Sequence, residues 1–133
     1  MREKTVKCYL ITTAIIYISL GLWCAVLPQS TAAAVGFKLQ PGQGQSEFFT
    51  VYGGLEVGIG LMLLIPILGK GNMRTVLLAC VLLHAGLVGF RTLSFMLYAQ
   101  FVTTTYILAT VEWLIFVSST ILLYLHKPKQ CAH

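Results

Sequence analysis

The chain has 133 residues, of which 57% are apolar and 10% are charged, and its mean hydropathy is +0.83. Soluble domains carry about a quarter charged residues, so this composition excludes an ordinary soluble protein and indicates an integral membrane protein. The length suits a single domain over residues 1–133. The net charge of +5 does not indicate binding to nucleic acid, because the few basic residues lie at the ends of apolar runs.

Four apolar runs are long enough to cross a bilayer, which takes about 20 predominantly apolar residues in a helix. They predict an all-α fold, an integral membrane four-helix bundle with spans at 8–27, 48–68, 75–98 and 103–125. The first run follows a basic start, as the core of a signal peptide does. It is longer than the usual core of a signal peptide, so we interpret it as a span.

Basic residues are divided unevenly between the two ends of the predicted spans. Lys38 lies in the first connection, whereas all the others outside the spans lie at the termini or in the second connection. These are Arg2, Lys4, Lys7, Lys70, Arg74, Lys127 and Lys129. Cytoplasmic segments of membrane proteins are enriched in Lys and Arg, so both termini are expected in the cytoplasm.

The connections between the spans also carry structural signals. Residues 30–39, in the long first connection, could form a short interfacial helix over the mouth of the bundle. Pro66 is expected to kink or end the second span, because proline lacks a backbone N–H and clashes with the preceding turn. Residues 69–72 predict a tight turn. The third connection is very short, so the last two spans should form an antiparallel hairpin.

Three ionisable side chains lie deep in the predicted spans: Glu56, Arg91 and Glu112. A charge at the bilayer centre costs at least about 2.5–3.5 kcal/mol on the insertion scale, so such residues normally face the bundle interior and pair. From the helical rise, all three lie roughly 10–13 Å from the outer ends of their helices, at nearly one level. Arginine stays protonated, so one Glu can pair with it. The other must be protonated, hydrogen-bonded, hydrated or neutralised by a ligand.

This charged layer has two interpretations. Arg91 could pair with either Glu to fix the register of the helices, with no chemistry. Alternatively, the layer could form a polar ligand-binding or proton-linked site, since ionisable residues inside a membrane are candidate functional residues. Tyr17 falls at a similar level, roughly 15 Å along the first helix, and could donate its hydroxyl there. The sequence leaves open which Glu pairs with Arg91.

Two further residues are secondary candidates. His84 lies one heptad before Arg91 on the same helix face, and a lone histidine in a span is more often a hydrogen-bonded core residue than a proton relay. No His or Cys follows it at three or four positions, so no metal site is expected. Trp113, next to Glu112, either walls the polar site or faces lipid. No catalytic residue and no cofactor is expected.

The second span carries glycines on two faces. Gly54 and Gly58 form a GxxxG pair, which predicts the close approach of another helix, either within the chain or in a homodimer. Gly53, Glu56 and Gly60 lie on a roughly opposite face, by the helical period. One glycine face is therefore expected to pack a helix while the other leaves room around the Glu56 carboxyl. Helix packing alone is the simpler interpretation of both.

Three stretches carry a family resemblance: Tyr52-Gly53-Gly54-Leu55 with Gly58 and Gly60, Gly89-Phe90-Arg91-Thr92-Leu93-Ser94, and Val111-Glu112-Trp113-Leu114. Together with Pro28 after the first helix, they make the chain resemble a family of small four-helix bacterial membrane proteins defined as a domain of unknown function. More distantly, the chain is similar to the DoxX-like membrane proteins. The resemblance covers nearly the whole chain and implies a bundle in the bacterial inner membrane. It also implies an Arg on the third helix and a Glu on the fourth, which match Arg91 and Glu112.

Three functions fit these features. A non-enzymatic accessory or small-ligand or lipid-binding protein, with its site in the outer half of the bilayer, is favoured because the sequence shows no nucleophile–base pair, metal cluster or phosphate loop. The alternatives are a small proton-coupled transporter working as a dimer and a lipid-modifying membrane enzyme with a Glu as acid or base. The expected partners are the lipid bilayer, an amphipathic small molecule or lipid, and a second copy or another membrane protein.

Overall fold

A computed structural model of the chain describes residues 2–69 and 71–125, except the side chain of residue 2. Within these residues all regular structure is helical and no strand is present. The elements are α1 (Arg2–Val26), α2 (Pro28–Ala34), α3 (Gln43–Phe48), a π-helical segment (Phe49–Leu55), α4 (Glu56–Leu64), α5 (Met73–Leu97) and α6 (Thr103–Leu125). The predicted orientation rests partly on Lys70, Lys127 and Lys129, which lie outside the described residues, as does the Arg2 side chain.

Four helical stretches are long and apolar enough to cross a membrane. They are Glu3–Val26, Gln43–Leu64, Met73–Leu97 and Thr103–Leu125. Their number agrees with the four predicted spans, and their length and composition indicate a multi-pass membrane protein. The second stretch, which joins α3, the π-helical segment and α4, begins at Gln43 rather than at residue 48. The Gln45 side chain accepts a hydrogen bond from the Gly42 N–H at 3.0 Å and so caps this earlier start.

Pro66 lies just after the end of the second stretch. The α-helix stops at Leu64, and residues 65–69 form turns in which the Ile67 N–H donates to the Leu64 carbonyl at 2.9 Å. A proline cannot donate a helical hydrogen bond, so the helix ends there as predicted. The turn that follows uses Gly69 and Gly71 at positive φ of 75° and 150°. Asn72 then caps α5 by accepting from the Arg74 N–H at 2.8 Å.

The first connection contains the expected short helix, shifted toward the first span. It begins with Pro28 at its first turn, where the missing N–H costs nothing, and ends at Ala34 rather than at residue 39. Ala32 is buried in a small cluster with Cys24 of α1 and Phe48 of α3. This contact fixes α2 across the end of the first two spans.

The helices pack as two close pairs. One pair is α1 with the second stretch, and the other is the antiparallel hairpin of α5 and α6, whereas contacts between the pairs are sparser. Buried residues from all four spans join the pairs, among them Leu10, Leu63, Leu77 and Ile115. The seam between the two pairs is where side chains can line a cavity.

Glycine allows the close contact in the first pair, through the face of Gly53 and Gly60 rather than the GxxxG face. A Cβ on Gly21 would lie 2.7 Å from the Gly53 carbonyl oxygen, and one on Gly60 would lie 2.9 Å from the Ala14 carbonyl oxygen. A Cβ on Gly54 or Gly58 would meet no atom within 4 Å. Within the chain, the GxxxG face is therefore open, and the face of Gly53 and Gly60 receives α1. The periodicity separated the two faces but could not show which one α1 would meet.

We expect Gly21→Ala to destabilise the protein by about 1–3 kcal/mol, because the added methyl group must push apart two packed backbones. Gly58→Ala is the matched control, since its methyl group enters open space. It should be neutral or slightly stabilising, because alanine favours the helix over glycine. The measurement is the loss of helical circular dichroism on heating in mild detergent. Equal unfolding temperatures for the two variants would contradict the packing described here.

Candidate functional site

Arg91 and Glu112 form a bidentate ion pair between α5 and α6. The Arg91 Nε donates to Glu112 Oε2 at 3.0 Å, and Nη2 donates to Oε1 at 2.7 Å. The two side chains are 28% and 14% exposed. Paired N–H donors on one planar guanidinium match the geometry of a carboxylate and make a strong, directional contact. Of the two glutamates that the sequence left open, Glu112 is the one that pairs with Arg91.

Glu56 is the carboxylate that remains. It is the first residue of α4, directly after the π-helical segment, and its Oε2 is buried with no hydrogen-bond partner among the described residues. The Glu112 carboxylate lies near enough to act on Glu56 electrostatically. A buried polar atom without a partner costs free energy comparable to a lost hydrogen bond, and more if it carries charge. Glu56 therefore needs a hydrogen-bond donor or a proton that the described part of the protein does not supply.

Glu56 borders a cavity of about 60 Å³ in the seam between the two helix pairs. The other residues that line it come from α1 and α6, namely Ile16, Tyr17, Leu20, Val111 and Ile115. Ile16 is 42% exposed, so the cavity opens toward the lipid-facing surface. A water molecule occupies about 30 Å³ in the liquid, so the cavity has room for a few small polar groups.

Tyr17 lines this cavity, but its hydroxyl donates a hydrogen bond to His84, which does not line it. Its hydroxyl lies 2.9 Å from His84 Nε2, and His84 Nδ1 lies 2.8 Å from the Cys80 carbonyl oxygen. A carbonyl oxygen can only accept, so Nδ1 carries the proton, Nε2 of the neutral ring accepts, and Tyr17 donates. The expectation that Tyr17 donates to the charged layer is therefore not met. The Tyr17 hydroxyl joins the first span to α5 instead.

His84 is fully buried, at 0% exposure, and both of its ring nitrogens have partners. This is the hydrogen-bonded core histidine that the sequence favoured over a relay. Cys80 precedes it by one helical turn, and its Sγ lies 3.6 Å from Nδ1. Within the described residues, no group of three His, Cys, Asp or Glu side chains could hold a metal ion.

Trp113 does not reach the cavity. Its side chain is 45% exposed and meets the edge of Phe116 on the same helix, so it lies on the lipid-facing side. Of the sequence candidates, Arg91 and Glu112 are brought together, Glu56 and Tyr17 share the cavity, and His84 supports Tyr17. The apolar lining residues Val111 and Ile115 were missed, because every span contains many residues of their kind. For His84, only its contact with the Cys80 carbonyl oxygen could have been found from the sequence, because Cys80 lies four positions earlier on the same helix.

Comparison of the chain with protein-family models, with curated proteins and with solved structures gave no match. The resemblance to small four-helix bacterial membrane proteins and to DoxX-like proteins therefore stays a prediction.

Replacing Tyr17 with Phe removes the donor to His84 and leaves a buried ring nitrogen without a partner. We expect Tyr17→Phe to lower the free energy of unfolding by about 1–3 kcal/mol, the cost of such an unsatisfied group. Tyr106→Phe is the control, because the Tyr106 side chain is 53% exposed and stacks on Phe95. Denaturation in detergent, followed by circular dichroism, measures both variants. A Tyr17→Phe protein as stable as Tyr106→Phe would contradict the assigned hydrogen bond.

Proposed function

We propose that this protein is a non-enzymatic membrane protein that binds the polar head of an amphipathic molecule in the seam between its two helix pairs. The observation that carries the proposal is the buried Glu56 Oε2, which lacks a hydrogen-bond partner among the described residues and borders a cavity. Intramembrane ionisable residues that do not pair with the protein mark sites for ligands or ions. Glu56 is therefore the proposed anchor of the ligand.

The opening of the cavity supports an amphipathic ligand. Ile16 and Leu20 place apolar surface beside Glu56, and Ile16 is partly exposed toward lipid. A molecule in the bilayer could put its head in the cavity and leave its apolar tail along the outside of the helices. The cavity, at about 60 Å³, is too small for a whole amphiphile, so only the head would be enclosed.

The ion pair supports the same proposal by leaving Glu56 alone. Because both Glu112 oxygens are engaged by Arg91, the pair is internally neutral and holds α5 against α6. Glu112 and Arg91 thus form a fixed wall near the site. We therefore apply the structural interpretation of the charged layer to Arg91 and Glu112, and the functional interpretation to Glu56 with Tyr17.

The membrane arrangement is part of the proposal. The four spans form a bundle with both termini in the cytoplasm, supported by Lys4 and Lys7 at the start of α1 and Arg74 at the start of α5. The bacterial inner membrane as location rests on the family resemblance. The open face of Gly54 and Gly58 is available to a second copy or another membrane protein.

The transporter and enzyme hypotheses stay predictions. A transporter would need a path on both sides of Glu56, and a lipid-modifying enzyme would need a second reactive group at the cavity. The Tyr17 hydroxyl is engaged by His84, and the other lining side chains are apolar. The geometry around Glu56 therefore supports binding best.

Native mass spectrometry of the full chain, purified in mild detergent from its host membrane, tests this proposal. We expect a bound amphiphile on the wild type and on Glu47→Gln, and its loss on Glu56→Gln. Glu47 is a matched control because it is an exposed glutamate outside the cavity. Retention of the same molecule by Glu56→Gln, or bulk lipid alone on all three proteins, would contradict the proposal.

A further inference from the structure

We infer that the head bound at Glu56 is a primary ammonium group, and that its binding displaces a proton from the Glu56 carboxyl. The inference rests on the proposed function and names the chemical class of its ligand. It follows from three features of the cavity: the hydrogen-bonding groups that face it, its charge and its size.

The first feature is that the cavity offers acceptors to a ligand. The Tyr17 hydroxyl donates its proton to His84, so the Tyr17 oxygen can only accept a hydrogen bond from any other group. An ionised Glu56 carboxylate can only accept, and the remaining lining side chains are apolar. A head that binds the ionised carboxylate must therefore donate. An ammonium group carries three donors and no acceptor, whereas a carboxylate or phosphate head brings acceptors alone.

The second feature is the charge of the layer. Arg91 neutralises Glu112, so an ionised Glu56 leaves one net negative charge inside the membrane. A buried charge is tolerated when it is paired and hydrogen-bonded. A proton or a monovalent cationic head each restores neutrality at this site, and they exclude one another. An anionic head would add a second unpaired charge and is disfavoured.

The third feature is size. A cavity of about 60 Å³ accepts a head of very few heavy atoms. A primary ammonium group is close to a water molecule in size, whereas a trimethylammonium group is larger and has no N–H to donate. The aromatic ring of Tyr17 adds a surface that attracts a cation. The cavity therefore favours a primary amine over a quaternary one with the same tail.

The ammonium head arrives protonated, Glu56 arrives as the neutral acid, and the complex is an ammonium–carboxylate pair with one proton released to bulk water. Glu112 on α6, which is paired with Arg91 on α5, acts electrostatically on Glu56. Glu56 in turn acts on Tyr17 and Cys24 of α1 and on Tyr52 in the π-helical segment. The His84 ring, behind Tyr17, is held by two hydrogen bonds.

The test uses probes with one tail and different heads: dodecylamine, dodecanol, dodecyltrimethylammonium and dodecanoate. Each is titrated into the purified full chain in an uncharged detergent, with protein-free micelles as the blank. We expect dodecylamine to bind best, and more tightly in mildly alkaline than in acidic buffer, because protons compete for Glu56. In weakly buffered, mildly acidic solution, where Glu56 is the neutral acid before binding, a pH-indicator dye should record about one proton released per amine bound, the stoichiometry of a cation that replaces one proton on a carboxyl.

Two pairs of variants locate the binding. Glu56→Gln should weaken the binding of dodecylamine at least about tenfold, because a charge-assisted hydrogen bond is lost. It should also abolish proton release, whereas Glu47→Gln should change neither. Val111→Phe puts a larger side chain into the cavity while the Glu56 carboxyl is kept, and it should also weaken binding. Val117→Phe on the same helix is its control, because Val117 is 46% exposed and outside the cavity.

The outcomes separate this inference from the proposed function. If dodecanol, dodecyltrimethylammonium or dodecanoate binds as tightly as the amine, with the same dependence on Glu56 and Val111, the ammonium head is wrong. The proposed site would then still stand. Amine binding without proton release would overturn the exchange. Binding of every probe that is insensitive to both Glu56→Gln and Val111→Phe would contradict the site itself.

Discussion

The bidentate ion pair between Arg91 and Glu112 is formed in a part of the chain where water cannot compensate an unpaired charge. A guanidinium in a membrane span must find an anion, and two hydrogen bonds at 3.0 and 2.7 Å satisfy both oxygens of one carboxylate. This contact joins α5 to α6 and engages Arg91, the one arginine at the level of Glu56 and Glu112. As a consequence, Glu56 has no cationic partner among the described residues. Of the three charged residues in this layer, Glu56 is the one left unpaired.

The cavity beside Glu56 exists because the helices pack unevenly. Between apolar helices in lipid, close approach depends on small residues and van der Waals contact, since the bilayer supplies little hydrophobic driving force. Gly21, Gly53 and Gly60 bring α1 and the second stretch into backbone contact. Larger side chains such as Ile16, Val111 and Ile115 meet across the seam between the pairs and leave space there. The π-helical segment ends at Glu56, and π-helical turns are frequently found at functional sites.

Much of the fold could be predicted from the sequence, because membrane spans impose a strong length and composition signal. The four spans, the end of the second at Pro66 and the short helix after the first are all present. Glu56, Arg91 and Glu112, which their depth in the spans predicted at one level, do lie close together. Their depth could not assign the pairing, since helix rotation decides which carboxylate faces Arg91. The hydrogen-bond partner of Tyr17 and the glycine face that receives α1 could not be predicted for the same reason, because both depend on which neighbouring helix a given face meets.

A double-mutant cycle tests the central claim that Arg91 is committed to Glu112 and leaves Glu56 alone. The free energy of unfolding in detergent is measured for the wild type, for Arg91→Met, Glu112→Gln and Glu56→Gln, and for the two double variants that contain Arg91→Met. These values give the coupling energy of Arg91 with Glu112 and that of Arg91 with Glu56. We predict about 1–3 kcal/mol between Arg91 and Glu112, as for residues in direct contact, and less than about 0.5 kcal/mol between Arg91 and Glu56. A coupling of Arg91 to Glu56 as large as that to Glu112 would contradict the account, because Glu56 would then have a partner within the protein.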